Sequence, residues 1–194
     1  MERYSSLHRK TNETEVTIEL CLDGGERSVS TGVGFFDHML TAFAVHGNFG
    51  LKVNTVGDWE VDCHHTVEDT GIVLGKAFAE ALPTKRGIKR FGHAFIPMDE
   101  ALAFAAADIS GRPYLVFDGE FPQERVGDFD TCMTEEFFRA FAANAGVTLH
   151  LKCEYGKNSH HMIEAMFKAA AHALRDAVSQ EEDPALLLSS KRVL

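Results

Sequence analysis

Two short runs in this chain concentrate the residue types that bind metal ions. Asp62-Cys63-His64-His65-Thr66-Val67-Glu68-Asp69 sets two imidazoles and a carboxylate in the pattern HHxxE, and His160-His161-Met162-Ile163-Glu164 repeats that pattern 96 residues later. On a helix, residues four apart share a face, so His64 neighbours Glu68 and His160 neighbours Glu164. The second histidine of each pair is turned about 100° away, and one run can therefore serve two ions. Two sites related by pseudo-symmetry follow, each taking a histidine and a glutamate from one run and the offset histidine from the other. Imidazole and carboxylate without thiolate suit manganese, iron, nickel or zinc, and open coordination positions make such a site catalytic. A chain of this size supports a core without a metal staple, so a bound ion is expected to be functional.

Further candidates surround this pair. His38, in Gly34-Phe35-Phe36-Asp37-His38-Met39-Leu40, stands 26 residues before the first run, at the expected start of a helix, and could be another ligand. Its counterpart under a 98-residue shift is Glu136, which can bind a cation or serve with Glu135 as helix-start charge favoured by the dipole. His8, His46, His93, His150 and His172 read as scaffold or surface histidines. A cationic set, Arg90, Arg112, Lys168 and Ser189-Ser190-Lys191, could cradle a phosphate, because the arginine fork matches its geometry. Solvated surface charge is the plain alternative for each of these taken alone. Ser110-Gly111-Arg112-Pro113 is a turn that fixes its arginine at a strand junction.

The elements that must position these groups repeat as well. Ala42-Phe43-Ala44 returns as Ala140-Phe141-Ala142, 98 residues on. Strand alternation runs from Glu13 to Leu20, and Asp23-Gly24-Gly25 predicts a hairpin turn after it. Helical spacing covers Phe35 to His46 up to Gly47, a strand Phe49 to Val56, and a second helix about Thr66 to Leu82, ended by Pro83. The second half predicts strands near Lys89–Ile96, Ala101–Asp108 and Tyr114–Phe117, a helix Thr134–Ala145, a strand Val147–Cys153 and a helix from Ser159 to about Val178. The expected fold is α+β, with an internal duplication of a strand-helix-strand-helix unit and helices packed against mixed sheets. The chain reads as one catalytic domain over 1–194, with repeats at about 9–87 and 88–180 and a functional tail at 185–194.

The 194 residues hold 19 basic against 29 acidic side chains, a net charge of −10, which argues against nucleic acid or an anionic membrane as partner. The charged start Met1-Glu2-Arg3-Tyr4 is unlike a signal peptide, and the longest apolar run, Ala101 to Ala107, cannot span a bilayer, so the expected location is cytoplasmic. Cys21, Cys63, Cys132 and Cys153 stand singly and are expected to be reduced and mostly buried.

Taken together, Gly32 to Leu40, Asp62-x-His64-His65-Thr66-Val67-Glu68-Asp69-Thr70-Gly71, Ser110-Gly111-Arg112-Pro113 and Lys157-Asn158-x-His160-His161-x-x-Glu164 closely resemble the imidazoleglycerol-phosphate dehydratase family. The resemblance extends from Arg9-x-Thr11-x-Glu13-Thr14 to Ser189-Ser190-Lys191. It implies a hydro-lyase of histidine biosynthesis, a phosphorylated imidazole substrate, and two Mn²⁺ ions per active site that hold the substrate ring as an imidazolate. It also implies a cage-like homo-oligomer of about 24 subunits with sites shared between subunits.

By resemblance, one ion would be held by His38, His65, His160 and Glu164, the other by His64, Glu68, His161 and Glu136. Substrate would meet Glu13, His38, His64, His65 and His160, and its phosphate would meet Arg90, Arg112, Lys168, Ser189, Ser190 and Lys191. Glu13, Glu68 and Glu164 would be catalytic. The plain alternative for Glu13 is a solvent-facing strand glutamate like Glu15 and Glu19. Relatives commonly carry histidine at the position of Glu136 and aspartate at that of Cys63. The same ligands could instead serve a dinuclear phosphate-ester hydrolase, or a metal-assembled cage without turnover.

Overall fold

The computed structural model describes residues 3–191. In chain order the elements are β1 (Tyr4–Lys10), β2 (Thr14–Cys21), β3 (Arg27–Ser30), α1 (Gly34–Gly47), β4 (Gly50–Gly57), α2 (His64–Ala81) and β5 (Phe91–Met98). There follow β6 (Ala101–Asp108), β7 (Tyr114–Asp118), the short pair β8 (Arg125–Val126) and β9 (Phe129–Asp130), α3 (Met133–Ala145), β10 (Thr148–Tyr155) and α4 (Ser159–Ala177).

Two four-stranded sheets form, β1-β2-β4-β3 and β5-β6-β10-β7, with the same sequence of antiparallel, antiparallel and parallel pairings. The fold is therefore α+β, as expected. Each sheet buries one face: Val16, Ile18, Leu51 and Val53 on the first, Ala103, Ala105, Leu149 and Leu151 on the second. The helices cover these faces, α2 lying on β1, β2 and β4, and α4 on β5, β6 and β10. Helix meets helix as α2 on α3 and α1 on α4, around buried phenylalanines that include Phe36, Phe43, Phe78, Phe137, Phe141 and Phe167. At the α2–α3 crossing the two backbones come very close. A methyl group on Gly71 would stand 2.8 Å from the Phe137 carbonyl, and one on Gly75 would stand 2.5 Å from that of Phe141.

Three expectations need correction. The turn at Asp23-Gly24-Gly25 does not close a hairpin, because β4 inserts between β2 and β3. β2 and β4 match along all eight residues of each, whereas Arg27–Ser30 offers only four pairs, so the longer ladder wins. The hairpin partner of β2 is instead β1, a strand that sequence reading left out, with Tyr4 opposite Cys21 and Lys10 opposite Glu15. Third, all four cysteines are free, but only Cys63 is buried, and Cys132 is exposed at the start of α3.

Candidate active site

The HHxxE runs lie at the N-termini of α2 and α4; in each, the N–H of the first histidine is taken by a side-chain oxygen two residues back, from Asn158 as the N-cap of α4 and from Asp62, one residue before the Cys63 N-cap, in α2. Asp62 Oδ1 accepts the His64 N–H at 2.7 Å, and Asn158 Oδ1 accepts the His160 N–H at 2.9 Å. These contacts satisfy helix N–H groups that no carbonyl reaches, and they fix where each helix begins. At the start of α1, Thr31 donates its N–H and hydroxyl to Asp37 Oδ1 at 2.8 and 2.6 Å, which sets the turn that presents His38.

Since α1 and α4 pack together, His38 meets the second run. His38, His160 and Glu164 offer ligand atoms that all lie within 4.8 Å of one another, the one such group among the described residues. Glu164 Oε2 is 3.5 Å from His38 Nε2 and 3.3 Å from His160 Nε2. Burial would push the Glu164 carboxyl up, but Lys168 at 2.6 Å and the two imidazoles reverse this and hold it below the usual range. The group is thus an ionised carboxylate between two imidazoles, a donor set that fits a borderline divalent ion.

The remaining candidate ligands stand apart in this chain. His64 pairs with Glu68 at 3.5 Å, the same-face relationship that the i, i+4 spacing predicts. His65 is turned aside, its Nδ1 held by Asp58 at 3.0 Å and its Nε2 4.0 Å from Glu13. His161 is held in the same manner, Nδ1 on Glu100 at 2.7 Å and Nε2 3.6 Å from Asp99. Hydrogen bonding to these carboxylates raises both imidazoles above the ordinary range. Glu100 in turn falls to about 2, through His161 first and then the N–H groups of Asn158 and Lys157. Glu136 is bound to Arg139 at 2.6 Å, next to the Glu135–Arg139 pair.

Glu13 precedes β2, in the exposed bend between β1 and β2, rather than within the strand. The bend is tied to α2 through Asp69, a buried acid that takes the Thr14 hydroxyl and the Arg9 guanidinium. Glu13 is thereby held beside His65.

The cationic set divides. Arg90, at a left-handed φ of 70°, grips Asp108 through Nε at 2.7 Å and a second nitrogen at 3.1 Å, and it also donates to the Leu188 carbonyl. Arg112 reaches the same aspartate at 3.8 Å. Together with Ser189, Ser190 and Lys191 they line a cleft of about 570 Å³. The tail is drawn there by bonds from Gly87 to the Leu186 carbonyl and from Arg86 to that of Ala185. Positions 192–194 of the expected functional tail lie outside the described residues. Lys168 does not line this cleft; it is committed to Glu164, with Met98 Sδ at 3.5 Å.

Sequence reading missed Asp58, Asp99, Glu100 and Asp108. A histidine that binds metal through Nε2 needs an acceptor at Nδ1, which predicts a carboxylate partner but not where in the chain it arises. Glu100 is delivered by the β5–β6 turn, 61 residues from His161.

A family model described as imidazoleglycerol-phosphate dehydratase matches residues 31–174. A relative of that name from Acetivibrio thermocellus is 54% identical over 195 residues, with all of both chains covered, and one from Bacillus cytotoxicus is 56% identical with the same coverage. The crystal structure of the Staphylococcus aureus dehydratase superposes with a TM-score of 0.84 at 42% identity, covering 91% of this chain and 99% of that one. The Pyrococcus furiosus enzyme, solved in complex with (S)-C348, gives 0.84 at 37% identity, covering 97% and 100%. The fold, the clustered His38, His160 and Glu164, and relatives alike over the full length lead to one conclusion: this chain belongs to the imidazoleglycerol-phosphate dehydratase family, hydro-lyases of histidine biosynthesis.

Proposed function

We propose that this chain removes water from D-erythro-imidazole-glycerol phosphate to give imidazole-acetol phosphate, as a single catalytic domain built from repeats at about 9–87 and 88–180 with a working tail at 185–194. The observation that carries this reading is the His38–His160–Glu164 cluster on a family-wide fold, accompanied by a cleft of two arginines, two serines and a lysine. The hydrogen to be removed sits on a carbon without an adjacent carbonyl, where an ordinary general base fails. When bound, two Mn²⁺ ions would supply the positive charge that favours the substrate ring as an imidazolate between them.

His38, His65, His160 and Glu164 would hold one ion, and His64, Glu68, His161 and Glu136 the other. Within one chain His65 is on α2 and the cluster on α1 and α4, so this reading completes each site with residues of another subunit, in a cage of about 24. Arg90, Arg112, Ser189, Ser190 and Lys191 bind the phosphate, with Lys168 as a further cation. Glu13, exposed in its bend and close to His65, moves a proton at the substrate carbon. The enzyme is proposed to work in the cytoplasm; none of the described helices is long and apolar enough to cross a membrane.

The test is an assay of chelator-stripped protein on imidazoleglycerol phosphate, with and without Mn²⁺, following ketone and free phosphate together. Ketone restored by Mn²⁺ without phosphate release is the expected result. Phosphate release would move the assignment to a dinuclear hydrolase. Bound metal with no turnover would leave only a metal-assembled cage.

A further inference from the structure

The seam between α1 and α4 carries a row of ionisable side chains that the chemistry above uses only in part. On α4, His160, Glu164, Lys168 and His172 recur every four residues; on α1, His38 and His46 are eight apart. Both rows therefore run along one helix face. His38 meets His160 and Glu164 at one end of the seam, and His46 meets His172 at the other, Nδ1 to Nε2 at 3.2 Å. Beyond His172 stands Arg175, with one guanidinium nitrogen 3.2 Å from His172 Nδ1 and another 3.3 Å from the His46 carbonyl oxygen.

The order of donors in this chain is forced from its far end. A guanidinium only donates, so His172 Nδ1 must accept. An imidazole that accepts through one nitrogen is neutral and carries its proton on the other. His172 therefore donates from Nε2, and His46 Nδ1 accepts. His46 in turn is neutral, with its proton on Nε2. Burial of both rings pushes their pKa values down, in agreement with two neutral imidazoles, and the positive charge of Lys168 lowers His46 further. Among the described residues no acceptor meets the His46 Nε2–H, and Lys168 is the cation one turn before His172 on the same face.

We propose that His172 and Arg175 are positioning residues that fix His46 as an Nε2–H donor, offered beside Lys168 to an anionic oxygen of the substrate. This rests on the dehydratase reading and adds a relay to it. The relay keeps His46 a donor without giving it a charge, whereas a free imidazole would spend part of its time with an acceptor lone pair facing the anion.

The experiment compares wild type, H172F, H172Q, H46A and the double variant H46A/H172F, in Mn²⁺-loaded enzyme, by KM, by kcat and by inhibition with inorganic phosphate. Loss of one hydrogen bond to a charged group predicts that H46A raises KM and the phosphate inhibition constant about tenfold; H172F, which frees the His46 tautomer, raises both by a smaller factor of about two or more, with kcat within about twofold. H172Q, whose amide N–H reaches the same place, recovers most of that loss. In the H46A background H172F has no further effect. Unchanged KM in H172F, or the same fold-change with and without His46, would overturn the relay. If H172F does not fold, R175M carries the test, since it frees His172 to take the other tautomer; an unchanged KM there overturns the relay equally. A wild type without dehydratase turnover would instead overturn the functional reading.

Discussion

Glu100 accepts the Nδ1 proton of His161 at 2.7 Å, and that contact ties the β5–β6 turn to the helix bearing the second histidine pair. The same carboxylate takes the N–H groups of Lys157 and Asn158 at 3.1 and 2.9 Å, so one side chain both orients an imidazole and anchors the start of α4.

In the metal-free protein this pair should make stability depend on pH. Glu100 is lowered from 4.5 to about 2, so its contribution is complete above 4.5 and fades as pH falls toward 2. His161 is raised above 6.5, so its contribution is complete below 6.5 and fades as pH climbs through the raised value. The melting temperature of E100Q should therefore fall furthest below wild type between pH 4.5 and 6.5. A gap that is constant from pH 3 to pH 9 would contradict the pairing.

Asp58 performs the corresponding task for His65, leaving Nε2 as the nitrogen that would ligate an ion under the proposed function. Replacement by asparagine should weaken Mn²⁺ binding by about 10- to 100-fold, the usual cost of losing a carboxylate behind a metal-bound histidine. Competition with a chelator measures this without reference to turnover.

Glu13 is exposed, its carboxylate only 4.0 Å from His65, so E13Q should fold with an unchanged melting temperature. If it transfers a proton, kcat should drop by about 10²- to 10⁴-fold with little change in KM. Activity within twofold of wild type would return Glu13 to the plain role of a surface acid.

Arg112 is two-thirds exposed and only loosely tied to Asp108, which leaves its guanidinium available to the cleft. R112M should raise KM about tenfold or more, the expected loss of a charge-assisted bond, while leaving kcat near wild type. Steady-state kinetics distinguish this from general damage, which would lower both kcat and stability.

Residue spacing was a good guide wherever the controlling interaction is local. The paired runs, the His64–Glu68 and His160–Glu164 neighbours, both long helices and the α+β class all depend on periodicities that a few turns or strands suffice to express. What it missed depends on long-range pairing. The insertion of β4 between β2 and β3 is decided by competition between ladders, and the carboxylates behind His65 and His161 arrive from a strand end and a hairpin turn. His46 and His172, read as separate scaffold histidines, acquire meaning only because α1 and α4 lie side by side, 126 residues apart in sequence.

The close crossing at Gly71 and Gly75 bears on chemistry that neither residue touches. His64 lies seven residues before Gly71, about 10 Å along a helix, so α2 acts as a lever with its pivot at the crossing. A methyl group at either glycine would lift the pivot and swing the imidazoles at the free end. Under the proposed function, selection for the geometry of the site would then be felt, at these two buried positions, as selection for the absence of a side chain.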